Sequence, residues 1–163
     1  MTVTNSTREL LDNHQFVRCV LLSQAEKTFL RDEANCRDYF FVEVDLAATH
    51  SSKDLMMRMA KALDFPSYFG GNWDAFLDMV TDLSWKPASG YVVLLKDAEA
   101  LLKLPSEQLA IFVQLCSVAA ERWQSGEDEE GKTIRRTPFY LFLEGQAPFC
   151  RLIVDLLTSG ERA

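Results

Sequence analysis

The sequence predicts a single α/β domain built on a small, mainly parallel sheet. Three observations lead there. Short apolar runs at 39–46, 90–96 and 138–144 read as strands, because β-branched and aromatic residues crowd segments bounded by polar ones. The stretches between them carry apolar residues at helical spacing, so strands alternate with helices at intervals that suit right-handed crossovers. The chain has 163 residues, 48% hydrophobic and 25% charged, which suits one compact domain whose core needs no disulfide or metal staple. No internal repeat and no linker-like stretch divides it.

Residues 1–13 are polar and are expected to be loosely held. Gln15–Ser23 is apolar and β-branched enough for a strand, and Tyr39–Leu46 is a clearer one. Between them the charged segment Gln24–Asp38 leaves a helical turn and a hairpin loop both open. A helix is expected from Ser51, with Asp54 at capping-box spacing and Leu55, Met56, Met59, Ala60 and Leu63 on one side. It ends before Pro66, since a residue preceding proline is pushed out of the α region.

A second helix is expected over Asn72–Leu83, then a buried strand at Gly90–Lys96. Pro105 fits the first turn of a long helix reaching about Gln124. Residues 125–136 form a loop with an acidic run (Glu127 to Glu130) and a basic end (Lys132, Arg135, Arg136). The last strand is Pro138–Glu144, and a short amphipathic helix follows at Phe149–Leu157.

The net charge of −7 and pI near 4.8 disfavour nucleic acid and anionic membrane and draw in cationic partners. Cys19, Cys36, Cys116 and Cys150 show no CxxC spacing, and His14 and His50 lie far from a second ligand-like cluster, so neither metal nor cofactor is expected. The N-terminus has no apolar h-region, and no apolar run approaches the roughly 20 residues that span a bilayer. These features predict a cytoplasmic protein with four reduced cysteines serving as small core residues.

The second predicted helix holds the most telling pattern. Phe76, Met79, Val80 and Leu83 share one side, Asp74, Asp78 and Asp82 stack one turn apart on the other, and Trp73 and Leu77 lie between. Like charges at this spacing repel by about a few tenths of a kcal/mol per pair. Asp74 regains some of that from the helix N-terminus, whereas the dipole opposes Asp82. The only cation placed to relieve the stripe is Lys86, beyond the helix end. Directly upstream, Tyr68 and Phe69 precede Gly70 and Gly71, and Asn72 is a good N-cap. Aromatics rimming an acidic helix suit the centre of a protein interface.

The stretch Leu63–Trp85 (LDFPSYFGGNWDAFLDMVTDLSW) resembles the central segment of the barstar family, intracellular protein inhibitors of barnase-type ribonucleases. Pro66, Tyr68, Gly70, Asn72, Asp74, Ala75 and Asp78 fall in register with its pattern, and the flanking elements agree in order over about 39–144. That resemblance implies a three-stranded parallel sheet packed with helices. It leaves residues 1–38 as an N-terminal extension with an extra strand, and 145–163 as an added C-terminal helix.

It also implies inhibition by obstruction of a basic, extracellular-type ribonuclease, by a protein that is a monomer when free. Asp78 would mimic the RNA phosphate, Asp74 would pair at the rim, and Tyr68 would pack on a catalytic histidine. Gly70 and Asn72 would supply hydrogen bonds. Phe69, Trp73, Leu77, Thr81, Trp85 and, on the next long helix, Glu121 complete the implied partner-binding set.

Several positions depart from the family pattern. Phe69 replaces a tyrosine, Leu77 stands where tryptophan is common, Trp73 stands where an aliphatic residue is usual, and Trp85 comes two residues late. These departures keep open an interaction module that binds another toxin or a regulatory protein. Catalysis is disfavoured: the histidines are remote, and no glycine-rich phosphate loop opens a helix after a strand.

Overall fold

A computed structural model describes residues 3–13, 15–127 and 130–160. The elements run α1 (Val3–Asp12), β1 (Val17–Val20), α2 (Gln24–Cys36), β2 (Tyr39–Asp45), α3 (Ser52–Ala62), α4 (Trp73–Asp82), β3 (Gly90–Lys96), a 3-10 helix (Ala98–Lys103), α5 (Ser106–Ser125), β4 (Phe139–Glu144) and α6 (Ala147–Gly160). His14, Asp128 and Glu129 lie outside the described residues.

The sheet corrects the expected three strands. Four strands, all parallel, lie in the order β1-β4-β3-β2. The N-terminal strand is a full member of the sheet, running from Val17 opposite Leu141 to Val20 opposite Glu144. An open strand edge carries unpaired N–H and C=O groups, and β1 satisfies those of β4.

Strand order also determines where the helices go. The chain crosses the whole sheet from β1 to β2 and then returns through β3 to β4. Right-handed crossovers travelling in opposite directions place their helices on opposite faces. Accordingly α1 and α2 cover one face, where Leu10, Leu11, Leu30 and Ala34 pack on Val92, Leu94, Tyr140 and Phe142. Helices α3 to α6 cover the other, where Leu55, Met59, Phe76, Val80, Phe112 and Ile153 pack on Val93, Leu95, Leu141 and Leu143. Strands buried on both faces read as unbroken apolar runs, as GYVVLLK does.

Two segments depart from expectation at the N-terminal end. Residues 3–12, expected to be loosely held, form α1, and Leu10 and Leu11 are buried. The Leu11 carbonyl accepts from Tyr140 Oη at 2.6 Å and from Arg37 Nη1 at 3.1 Å. Residues 24–36 form a whole helix, neither a single turn nor a hairpin. Its capping box is complete: Ser23 Oγ accepts from the Glu26 N–H at 3.2 Å, and the Glu26 carboxylate accepts from the Ser23 N–H at 2.7 Å. The C-terminal helix is longer than expected, beginning at Ala147.

The expectation of four reduced core cysteines is also corrected. Cys19 in β1 and Cys150 in α6 form a disulfide with Cα atoms 5.1 Å apart, across 131 residues of chain. Cys36 is exposed and Cys116 is buried, and burial pushes the Cys116 thiol up, away from the reactive thiolate. Spacing along the chain carries no information on such a pair, because the bond depends on α6 packing across an edge strand.

Reduction of this bond, or the C19S/C150S double substitution, is expected to lower stability by about 2–4 kcal/mol. In calorimetry that is a fall in Tm of roughly 4–16 °C, and an unchanged Tm refutes the tie. At Gly90 a Cβ would lie 2.6 Å from Cδ1 of Tyr39 on the neighbouring strand. Gly90→Ala is expected to cost about 1–3 kcal/mol in urea unfolding, by overpacking that contact.

Candidate functional site

The loop before α4 is shaped by how α3 ends. Asp64 adopts a left-handed conformation (φ 50°). The Phe65 N–H reaches back to the Ala60 carbonyl at 2.8 Å, closing the helix in a Schellman-type cap. Phe65 then enters an aromatic cluster, with ring centroids 5.0 Å from Phe69, 6.2 Å from Phe76 and 6.1 Å from Trp85. A turn follows in which the Phe69 N–H donates to the Pro66 carbonyl at 3.0 Å. It sends Phe69 into the cluster and leaves Tyr68 outside, 70% exposed.

Gly71 supplies the positive φ (69°) that turns the chain into α4. Asn72 caps the helix, its side-chain oxygen accepting from the Ala75 N–H at 2.8 Å. Leu83 closes the other end in the left-handed region (φ 45°).

Tyr68, Gly70, Asn72, Asp74 and Asp78 are all exposed, along one continuous stretch of loop and helix. Asp82 is exposed as well, one turn further on. Among the described residues no cation lies within ion-pair distance of these three aspartates. Lys86, which the sequence offered as their relief, pairs instead with Asp64 at 2.5 Å and sits 4.9 Å from the centroid of the Phe40 ring.

The remaining expected site residues are placed differently. Trp73 is partly buried, donating from Nε1 to Gln108 Oε1 at 2.9 Å and packing 6.2 Å from the Phe112 ring. Trp85 donates to the Leu63 carbonyl at 3.0 Å and stays in the aromatic cluster. Phe69 and Leu77 pack partly against the core, and the Thr81 hydroxyl bonds back to the Leu77 carbonyl at 2.8 Å. Glu121 is not brought to α4. It lines a cavity of about 480 Å³ walled by β1, α5 and α6.

The residues that hold α4 in place were not identified from the sequence. Gln108 is one and Trp123 is the other, its Nε1 donating to the Val80 carbonyl at 2.9 Å. A tryptophan late in an amphipathic helix is a signal only for burial; its partner carbonyl belongs to another element.

Comparison with known proteins adds fold and family. The ORC2 protein of Aeropyrum pernix in its ADP form matches with a TM-score of 0.62 and 12% identity, over 98% of this chain and 45% of that one. A Walker-type ATPase of Pyrococcus abyssi matches with a TM-score of 0.47 and 13% identity, over 96% and 47%. The chain thus spans less than half the length of these solved chains. At such identity the likeness to the former concerns fold alone, and it extends beyond a three-stranded core to the entire four-stranded sheet.

What those proteins bind is said of them alone. The turn from β1 into α2 has no glycine. The N–H of Ser23, at the α2 N-terminus, is taken by the chain's own Glu26 carboxylate, which that hydrogen bond holds below the usual carboxylate range. No curated protein matches the chain. A family model described as Barstar (barnase inhibitor) matches residues 39–144, from the start of β2 to the end of β4. With nearly two thirds of its length covered by that match, the chain belongs to the barstar (barnase inhibitor) family.

Proposed function

We propose that this protein is an inhibitor of the antitoxin or immunity type, blocking the active site of a basic, barnase-like ribonuclease with α4 and the loop before it. One observation carries the reading: three aspartates stand one turn apart on an exposed helix face with no cation against them among the described residues. A stripe that costs the free protein stability is explained if a partner's cations complete it. Asp78, at the centre, stands in for an RNA phosphate among the enzyme's basic side chains. Asp74 pairs at the rim, and Tyr68, projecting from its turn, supplies the aromatic contact. Catalysis by this chain has no part in the mechanism, which is steric and electrostatic occlusion.

A second reading is favoured by the aromatic residues. Trp73 and Trp85 are turned toward α5 and the core, and Leu77 stands where the family often has tryptophan, so Tyr68 is the fully outward aromatic of the surface. A partner other than a ribonuclease, with a less aromatic-hungry cleft, fits that surface as well.

Asp78→Ala is expected to weaken binding to a purified barnase-type ribonuclease by about 2 kcal/mol or more, the general hot-spot threshold, for which complexes of this family are a reference case. Asp32→Ala is the matched control. It removes an equal charge from an exposed position on α2, across the sheet, and equal small losses from both substitutions would sink the site. Association is expected to slow as ionic strength rises from low salt to about 0.15 M, because the attraction is screened over roughly 8 Å. In the absence of partner, Asp78→Asn and Asp82→Asn are each expected to raise stability by about 0.3–1 kcal/mol, read from urea midpoints.

A further inference from the structure

The acidic helix has a cationic neighbour outside its own sequence. The segment between α5 and β4 folds back on itself. The Ile134 N–H donates to the Gly126 carbonyl at 2.7 Å, and Glu127 and Thr133 form an isolated antiparallel bridge. Gly126 caps α5 with a φ of 72°, and the aliphatic stem of Arg136 lies over it, so that a Cβ there would come within 2.8 Å of Arg136 Cγ. Arg135 and Arg136 are both exposed, and among the described residues neither takes part in an ion pair.

The base of this hairpin adjoins the C-terminal end of α4 through a continuous set of contacts. The Thr137 N–H donates to the Trp123 carbonyl at 3.0 Å, while Trp123 Nε1 donates to the Val80 carbonyl at 2.9 Å. The Trp123 ring lies 5.3 Å from that of Tyr91, whose N–H donates to the Pro138 carbonyl at 2.8 Å. Asp82 lies close enough to add its charge to the burial that raises the Tyr91 phenol.

Two arginines without an ion pair among the described residues thus lie on a hairpin whose base is joined through Trp123 to the C-terminal half of α4, and no ion pair links them to the aspartates of the stripe. For a chain of net charge −7 drawing in a basic partner, cations at this edge oppose the attraction. They are repelled by a uniformly basic face and attracted by a face that also carries carboxylates. A guanidinium fork fits a carboxylate with two parallel hydrogen bonds. It fits a phosphate equally well, but nucleic acid reaching these arginines would have to approach Asp82 and the rest of the stripe.

We propose that Arg135 and Arg136 form a cationic second half of the α4 binding surface, and that the partner protein presents an acidic rim beside the basic cleft that receives Asp74 and Asp78. The inference rests on the inhibitor reading of α4 and adds selectivity to it. Among basic ribonucleases the hairpin accepts those with that rim and rejects those without it.

The test is calorimetric binding of a purified barnase-type ribonuclease that carries exposed carboxylates beside its basic cleft, without RNA, to the wild type and to R135E/R136E, R135Q/R136Q and D78A, at low and physiological salt. Thermal unfolding checks each variant, and the glutamine pair retains the stem over Gly126 should the charge reversal disturb the hairpin. The expected result is a loss of about 30-fold or more for D78A and about 10-fold for R135E/R136E, with a smaller loss for the glutamine pair and all losses shrinking as salt rises. If R135E/R136E binds as tightly as wild type, or more tightly, while D78A binds weakly, the acidic-rim proposal is overturned and the inhibitor reading stands. If the arginine variants lose affinity only when RNA is added, the pair reads nucleic acid and the proposal is likewise overturned. A wild type that does not bind, or a D78A variant that binds unchanged, overturns the inhibitor reading and this inference with it.

Discussion

The way α5 holds α4 from behind decides what α4 can present in front. Helix α4 has ten residues, too few to be stable alone, and its three aspartates work against it. Its helicity comes from packing: Phe76 lies 6.0 Å from Phe112 at the centre. Trp73 reaches Gln108 at one end, and Trp123 reaches the Val80 carbonyl at the other. Each indole N–H finds an acceptor on the opposing helix, so two aromatic bodies are buried without an unsatisfied donor. With its apolar side committed in this way, α4 has its acidic side left for solvent or a partner.

That grip depends in turn on the sheet. The chain crosses from β1 to the far edge and returns, which places α2 on one face and α3, α4 and α5 together on the other. The family match begins at β2, so β1 with α1 and α2 lies outside it. These added elements cover the face of β3 and β4 opposite α4 and bury Val92, Leu94, Tyr140 and Phe142. The disulfide from Cys19 to Cys150 ties the added strand to the added C-terminal helix, joining two segments that both lie outside the matched region. None of this touches the acidic face, which remains a matter of α4, its loop and the neighbouring hairpin.

Legibility along the sequence followed the range of the forces involved. The cap at Asn72, the stop before Pro66, the strand at Gly90–Lys96 and the opposition of Phe76, Val80 and Leu83 to Asp74, Asp78 and Asp82 all arise within a few residues, and local pattern showed them. Helix α2 was within reach too: Ser23 and Glu26 stand at capping-box spacing with Leu30 and Ala34 buried behind them, but the density of charge around them masked the period. Helix α1 was hidden for another reason. Among the described side chains its burial rests on Thr7, Leu10 and Leu11, and the two leucines find their partners on α2 and on the strands.

By itself the sequence determined the family, the α/β class, the acidic stripe and the outward-capable loop from Tyr68 to Asn72, because each is written in adjacent residues or in one helical period. Tertiary structure decided the four-stranded order, the pairing of Cys19 with Cys150, the inward turn of Trp73 and Trp85, and the separation of Glu121 from α4. It also decided that Lys86 serves Asp64, leaving the aspartates of α4 without it. Each of these depends on which distant segment fills the space beside a residue. Amphipathic patterning gives the side of a helix that is buried, but not the neighbour that buries it.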